Sequence, residues 1–253
     1  MLWSDSILRD KRIMITGASS GIGRSCAILF SQLGAKIIAC GRDKDRLAQT
    51  IASLTGDGHA SLAFELTNEE EIENKLVSLK GTEPISGLVH CAGIERTNPL
   101  KTICMEDFTE MFKINVASAV VISRCVFKPG MYDRNGVSIV IISSMRGLQG
   151  EKGNIEYAAT KSALYGLSKS MAKELVSKKA RVNTISPSMV KTEMFFRVLD
   201  NLHQDIVDRM EKRHLIGIPE PLDVANMAAF LISDLSQFVT GTDIVLDSGY
   251  TIS

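Results

Sequence analysis

What most constrains this chain is a rhythm. Short runs that are apolar on both faces alternate with stretches patterned as helices, from Arg12 almost to the end. The first run, Arg12–Thr16 (RIMIT), stops at Gly17. Ile22, Cys26, Leu29, Phe30 and Leu33 then share one helical stripe, which Gly34 closes. A second run covers 36–40, and Asp43 follows as the N-cap of a helix carrying Leu47, Ile51 and Leu54. A weak strand over 61–64 precedes Thr67 and Glu70, which have capping-box spacing. Further strands are expected over 86–90, 138–142, 182–185 and 244–246, with helices over 107–126, 155–177 and 222–233.

Strands buried on both faces and separated by helices imply an α/β fold, a parallel sheet covered by helices on each side. The 253 residues suit one domain over 1–253. One long irregular stretch, 187–221, reads as a substrate lid; the alternative is a pair of surface helices without function. Its Met189, Met194, Phe195, Phe196, Val198, Leu199 and Leu202 suit either a partly apolar substrate or packing on the body or another subunit. Arg146 and Arg197 either meet an anionic group on the substrate or are solvated.

Composition narrows the function classes. Lys and Arg together number 29, as do Asp and Glu, so no net field favours nucleic acid or an anionic membrane. The five cysteines (Cys26, Cys40, Cys91, Cys104, Cys125) form no C-x-x-C pair, which points to reduced thiols in the cytoplasm. His59, His90, His203 and His214 lack metal-ligand spacing, so no metal site is expected. The opening MLWSDSILRDKR has no signal-peptide apolar region, and no apolar stretch approaches the ~20 residues of a membrane span.

Between the first strand and first helix stands Thr16-Gly17-Ala18-Ser19-Ser20-Gly21-Ile22-Gly23. Glycines let the backbone turn sharply and approach a ligand, and a helix start favours a pyrophosphate. The second strand ends Cys40-Gly41-Arg42, with a guanidinium and no carboxylate at its tip. An Arg there favours the 2′-phosphate of NADP(H). The alternative leaves Arg42 solvated and gives the ribose to Asp43.

Tyr157 and Lys161 stand four apart in a helical pattern, hence on one face. A phenol near pKa ~10 is a poor base, and a nearby ammonium lowers that value. Such a pair exchanges a proton with a carbonyl or alcohol oxygen. It follows Ser143 and Ser144, which end a strand where α/β folds bind ligands. Ser144 is suited to hold a carbonyl oxygen within reach of the phenol.

With these residues assembled, the sequence resembles the short-chain dehydrogenase/reductase family. The matching motifs are TGASSGIG at 16–23, Asn115, Ser144, YAATK at 157–161, PSMVKTEM at 187–194, EPLDVA at 220–225 and TGTDIVLDSG at 240–249. The resemblance implies a Rossmann-type doubly wound sheet of seven parallel strands in the order 3-2-1-4-5-6-7. It implies Tyr157 as general acid/base, Lys161 lowering its pKa and bonding the nicotinamide ribose, and Ser144 orienting the carbonyl. Asn115 would hold a water that links Lys161 to a proton relay. The NADP(H) site implied comprises Gly17, Ser19, Ser20, Gly21, Ile22, Gly23, Arg42, Leu66, Ala92, Gly93, Tyr157, Lys161, Pro187, Val190 and Thr192. A homodimer or homotetramer through the helices at 107–126 and 155–177 is also implied.

The chain departs from the family pattern in places. His90-Cys91 replaces a usual Asn-Asn, and neither side chain has the amide's paired donor and acceptor. Glu65 stands where Asp is common, and Ser188 replaces a Gly. The expected function is an NADPH-dependent carbonyl reductase, most similar to the 3-oxoacyl reductases. Rival readings are an NAD-dependent alcohol dehydrogenase running oxidatively and a catalytically silent NADP(H)-binding sensor or scaffold.

Overall fold

Every apolar run becomes a strand of one sheet. The computed structural model describes residues 6–199 and 204–253. Strand β1 (Arg12–Thr16) leads through α1 (Gly21–Gln32) to β2 (Lys36–Gly41), α2 (Lys44–Ala52), β3 (Ala60–Ala63) and α3 (Glu69–Val77). The chain continues through β4 (Gly87–His90), α4 (Met105–Phe112), a π-helical turn (Lys113–Ala117), α5 (Ser118–Val126) and β5 (Val137–Ile142). The short α6 (Arg146–Gln149) and long α7 (Ile155–Glu174) precede β6 (Ala180–Pro187). Then come α8 (Glu193–Leu199), α9 (Gln204–Arg213), α10 (Pro221–Ile232) and β7 (Asp243–Leu246). The strands are parallel in the order β3-β2-β1-β4-β5-β6-β7, as the resemblance implies.

The period of two sorts the core. Ile13, Ile15, Val89, Val140 and Ile142 pack with α1, α2 and α10. Met14, Leu88, Ile139 and Ile141 point the other way, to α3, α5 and α7. Burying each contributes on the order of 2 kcal/mol. A one-residue slip would exchange the faces, so register is fixed by packing on both sides. The strand order reverses direction at β1 and β4, and the crevice outside their carboxyl ends is where such folds bind ligands.

Four local expectations change. The third helix is capped by Asn68, whose side chain accepts from the Glu71 N–H at 3.0 Å, rather than by Thr67 with Glu70. Starting there sets Glu69, Glu70 and Glu71 in the first turn, where the helix dipole favours carboxylates. The helix expected over 107–126 is interrupted by the π turn, where the Ser118 N–H reaches back to Lys113 O. The helix expected over 155–177 closes as a 3₁₀ turn at Leu175–Lys178. The stretch 187–221, expected to be irregular, contains α8 and α9. Leu202 and His203 lie outside the described residues, as does the start of the opening segment. Among the described residues no helix is long and apolar enough to cross a membrane.

Candidate active site

The glycine loop has a shape that side chains would destroy. Gly17 has φ +66°, and a Cβ there would lie 2.9 Å from the Ala92 N. A Cβ on Gly23 would lie 2.3 Å from Gly17 O, so α1 starts hard against the loop. Ser20 is the N-cap of α1, yet its side chain makes no capping bond, and the first turn has no acidic residue. That leaves N–H groups and the positive end of the helix dipole facing the crevice. A backbone cradle of this kind fits the pyrophosphate of a dinucleotide. Ser19 lies beside Gly41 at the end of β2, and half-buried Ile22 packs against the core.

The neighbouring positions close around it. The Thr192 methyl would lie 3.2 Å from a Cβ on Gly21, which brings the start of the 187–221 segment onto the glycine loop. Val190 is buried, and Pro187 O accepts from the Met145 N–H at 3.0 Å. Leu66 is half-buried beyond β3. Arg42 is exposed past the tip of β2, and among the described residues its guanidinium makes no hydrogen bond or ion pair. Asp43, the alternative ribose ligand, caps α2 by accepting from the Arg46 N–H.

The second cluster lies at the ends of β4 and β5. Lys161 is buried, and its Nζ donates to Ile142 O at 2.8 Å. The same atom stands 5.5 Å from the centre of the Tyr157 ring, so the helix spacing delivers both groups to one place. Ser143 Oγ donates to Lys161 O and pins this turn of α7 to β5. A Cβ on Gly93 would lie 3.1 Å from Asn115 Oδ1 and 3.5 Å from Lys161 Nζ, so a side chain there would press on both groups. Asn115 sits in the π turn, where such turns often mark functional sites. Its amide accepts from the Ile94 N–H and donates to Ile94 O and Thr160 Oγ1, clamping the loop after β4 to α7.

Burial dominates the electrostatics. It raises the Tyr157 hydroxyl above the ordinary phenol value; the Glu95 carboxylate adds to the rise, while contact with Ser144 and the Arg146 charge oppose it. Lys161, expected to pull the phenol down, is not among the largest of these effects. Burial lowers its own value to about 8, against upward pulls from Cys91 and Glu95. The phenol is therefore held protonated at neutral pH.

His90 answers for the missing amide pair. Ser118 Oγ gives its proton to Ile114 O at 2.6 Å, so at 3.3 Å it accepts from His90 Nε2. His90 Nδ1 then accepts from Thr16 Oγ1 at 3.0 Å, and Thr16 Oγ1 accepts from the Ala92 N–H. One neutral imidazole thus joins β1, β4 and the start of α5. Ser188 likewise gains a partner, His214 Nε2 at 3.1 Å, which ties the end of α9 to the segment after β6.

Several residues here carry no recognisable motif. Tyr165, one turn beyond Lys161, donates to Ser144 O at 2.8 Å and lies 3.1 Å from Ser186 Oγ, which donates to Asp243. Its place on the Tyr157–Lys161 stripe is the signal that marks it. Glu95 and Asn154 join Arg146 beside Tyr157, and Arg146 is mostly buried rather than solvated. Arg197 donates to Glu193 O within its own helix. On α8 Phe195 is buried while Phe196 and Met194 are exposed.

Comparison with known proteins is consistent across the chain. A family model described as enoyl-(acyl carrier protein) reductase matches residues 17–251. The 3-oxoacyl-[acyl-carrier-protein] reductase FabG of Escherichia coli is 32% identical over 240 residues, 94% of this chain and 96% of the relative. The Thermotoga maritima protein of the same name is 32% identical over 250 residues, 97% of this chain and 99% of the relative. Among solved structures, a putative short-chain alcohol dehydrogenase from Sinorhizobium meliloti superposes with TM-score 0.91 at 28% identity, covering 99% of this chain and 100% of that one. A variant actinorhodin polyketide ketoreductase with NADPH gives TM-score 0.88 at 26% identity, covering 95% and 97%.

The His90 relay has a consequence for pH dependence. Burial, helped by the Lys161 charge, lowers His90 from 6.5 to about 3. The unfolded chain binds a proton at this position where the folded chain does not. Its share of stability is thus complete above 6.5 and declines as pH falls toward about 3, by ~1.4 kcal/mol per unit. His90→Asn should fold and lose that slope. Urea unfolding at a series of acidic pH values measures it, and parallel curves for the two proteins would count against the relay.

Proposed function

The chain belongs to the short-chain dehydrogenase/reductase family and is an oxidoreductase of that family; from this premise we propose that it is an NADPH-dependent carbonyl reductase with Tyr157 as proton donor. The observation that carries the proposal is the Lys161 amine 5.5 Å from the Tyr157 ring, in a cluster with Ser144 and Asn115.

A bound nicotinamide supplies a hydride to the carbonyl carbon. Gly17, Ser19, Ser20, Gly21, Ile22 and Gly23 hold the pyrophosphate and adenosine, with Leu66, Ala92 and Gly93 along the adenine and riboses. Pro187, Val190 and Thr192 receive the nicotinamide end, and Lys161 serves its ribose. Ser144 donates to the carbonyl oxygen, and Tyr157 gives its proton as charge develops there. Preorganised donors of this kind are worth roughly 3–4 kcal/mol each in a site shielded from water. The Tyr157 hydroxyl keeps its proton at neutral pH, as the acid role requires. A full Asn115, Ser144, Tyr157 and Lys161 set speaks against a silent sensor or scaffold. Asn115 acts by positioning the loop after β4 and Thr160.

Arg42 supports NADP(H) over NAD(H), since its guanidinium is uncommitted among the described residues and Asp43 is engaged as a cap. Residues 187–221, with α8 and α9, act as the lid. Exposed Met105, Phe112 and Val120 on α4 and α5, with Ile155 on α7, support a homodimer or homotetramer through these helices. Free cysteines and zero net charge support a cytoplasmic place without nucleic-acid or membrane partners.

Tyr157→Phe should lower ketone turnover by at least ~10²-fold while NADPH still binds. Stopped assays with a ketone panel test this, and unchanged turnover would remove the mechanism. Arg42→Ala should weaken NADPH much more than NADH, read as the ratio of kcat/KM for the two cofactors. A native protein that prefers NADH would contradict the Arg42 assignment.

A further inference from the structure

Two charged side chains share the catalytic end of the sheet and are absent from the mechanism above. Glu95 follows the Ala92-Gly93 turn, and Arg146 stands two residues past Ser144, whose Oγ accepts the Arg146 N–H at 3.2 Å. Their side chains are only 18% and 15% exposed, with Arg146 Nε 3.9 Å from Glu95 Oε1. Asn154 builds the pair into place. It is 2% exposed and is the N-cap residue of α7, yet its side chain makes no capping bond. Instead its Nδ2 donates to Glu95 Oε1 at 3.4 Å and to Arg96 O at 3.3 Å, while its Oδ1 accepts from Arg146 Nη1. Glu151 lies 4.0 Å from the same Nη1.

The commitments of this pair are one-sided. Among the described residues, Glu95 Oε2 and Arg146 Nη2 take part in no hydrogen bond or ion pair, while Oε1 and Nη1 are engaged. An ionised acceptor and a planar donor thus remain side by side. The Arg146 N–H bond to Ser144 Oγ places the pair at the Ser144 end of the site, and both charges act on the Tyr157 hydroxyl, Glu95 raising its pKa and Arg146 lowering it. A hydroxyl both donates and accepts, and is the group that satisfies the two together. An anion would be attracted by Arg146 and repelled by Glu95. A plain alkyl chain would cover both charges and return nothing.

We propose that Glu95 and Arg146 are specificity-determining residues that select a carbonyl compound bearing a hydroxyl group close to the reacting carbon. This rests on the carbonyl-reductase reading and narrows its substrate class. Glu95 Oε2 accepts the substrate hydroxyl and Arg146 Nη2 donates to its oxygen. A site built to bond a hydroxyl discriminates against the analogue that lacks it, because its own polar groups are then left unpaired.

The test compares hydroxyacetone with acetone, and acetoin with butanone, using NADPH and then NADH. The ratio of kcat/KM within each pair is blind to changes at Tyr157, since both ketones draw on the same proton donor. Native protein should favour the hydroxylated member by at least about tenfold. Glu95→Gln, and separately Arg146→Gln, should bring the ratio close to one. A native ratio near one, or a preference that survives both substitutions, overturns the proposal. If no ketone is reduced with either cofactor, the reductase reading fails instead. Saturation-transfer NMR of hydroxyacetone against acetone on the NADP⁺-loaded protein then decides for this pair. Stronger transfer to hydroxyacetone that disappears in Glu95→Gln supports it, and equal transfer rejects it.

Discussion

The site is organised around a buried amine. Removing an ammonium from water is costly, and burial lowers the Lys161 value to about 8. Its neighbours have the form such a group requires. Ile142 O takes its hydrogen bond, the Tyr157 ring lies alongside, and Gly93 stays clear of it. Ser143 holds the helix turn that carries it. These contacts come from the ends of β4 and β5 and from α7 itself, so the amine is in place only when all three are correctly packed. This links the fold to the chemistry through a single side chain.

Around that amine the phenol is controlled more by its surroundings than by its partner. Burial and Glu95 push Tyr157 up, which suits a group that must still have its proton when a carbonyl arrives. Tyr165 extends the same helix face and bonds the carbonyl of Ser144, while Ser186 and Thr184 both donate to Asp243 at the start of β7. The strand end that presents Ser144 is therefore braced from α7 and, through β6, from the edge strand. Asn115 and His90 brace β4 in the same manner, one through an amide and one through a neutral imidazole.

Much of this was legible in order along the chain. Runs such as RIMIT and SIVII announce strands because both faces are buried, and the glycine loop announces itself because close backbone approach excludes other residues. Helix spacing sets Tyr157 and Lys161 on one face, and their place after Ser143 and Ser144 at a strand end marks them out. The π turn was hidden, since one widened turn barely disturbs an apolar stripe across 107–126. Helix α9 was hidden because its sequence, QDIVDRMEKR, is mostly polar. The cap fell on Asn68 and not Thr67, a choice between adjacent good caps that spacing does not make. The joining of Glu95, Arg146 and Asn154 depends on three separate segments meeting, and no local pattern encodes that.

The environment of Lys161 decides whether the site is assembled as described. Heteronuclear NMR titration of lysine-labelled protein, with the resonance assigned through Lys161→Arg, measures it. A midpoint near 8 is the expected result. A midpoint at the ordinary lysine value of ~10.4 would mean the amine is solvated, and the arrangement of Tyr157, Ser144 and Lys161 described for this chain would be wrong.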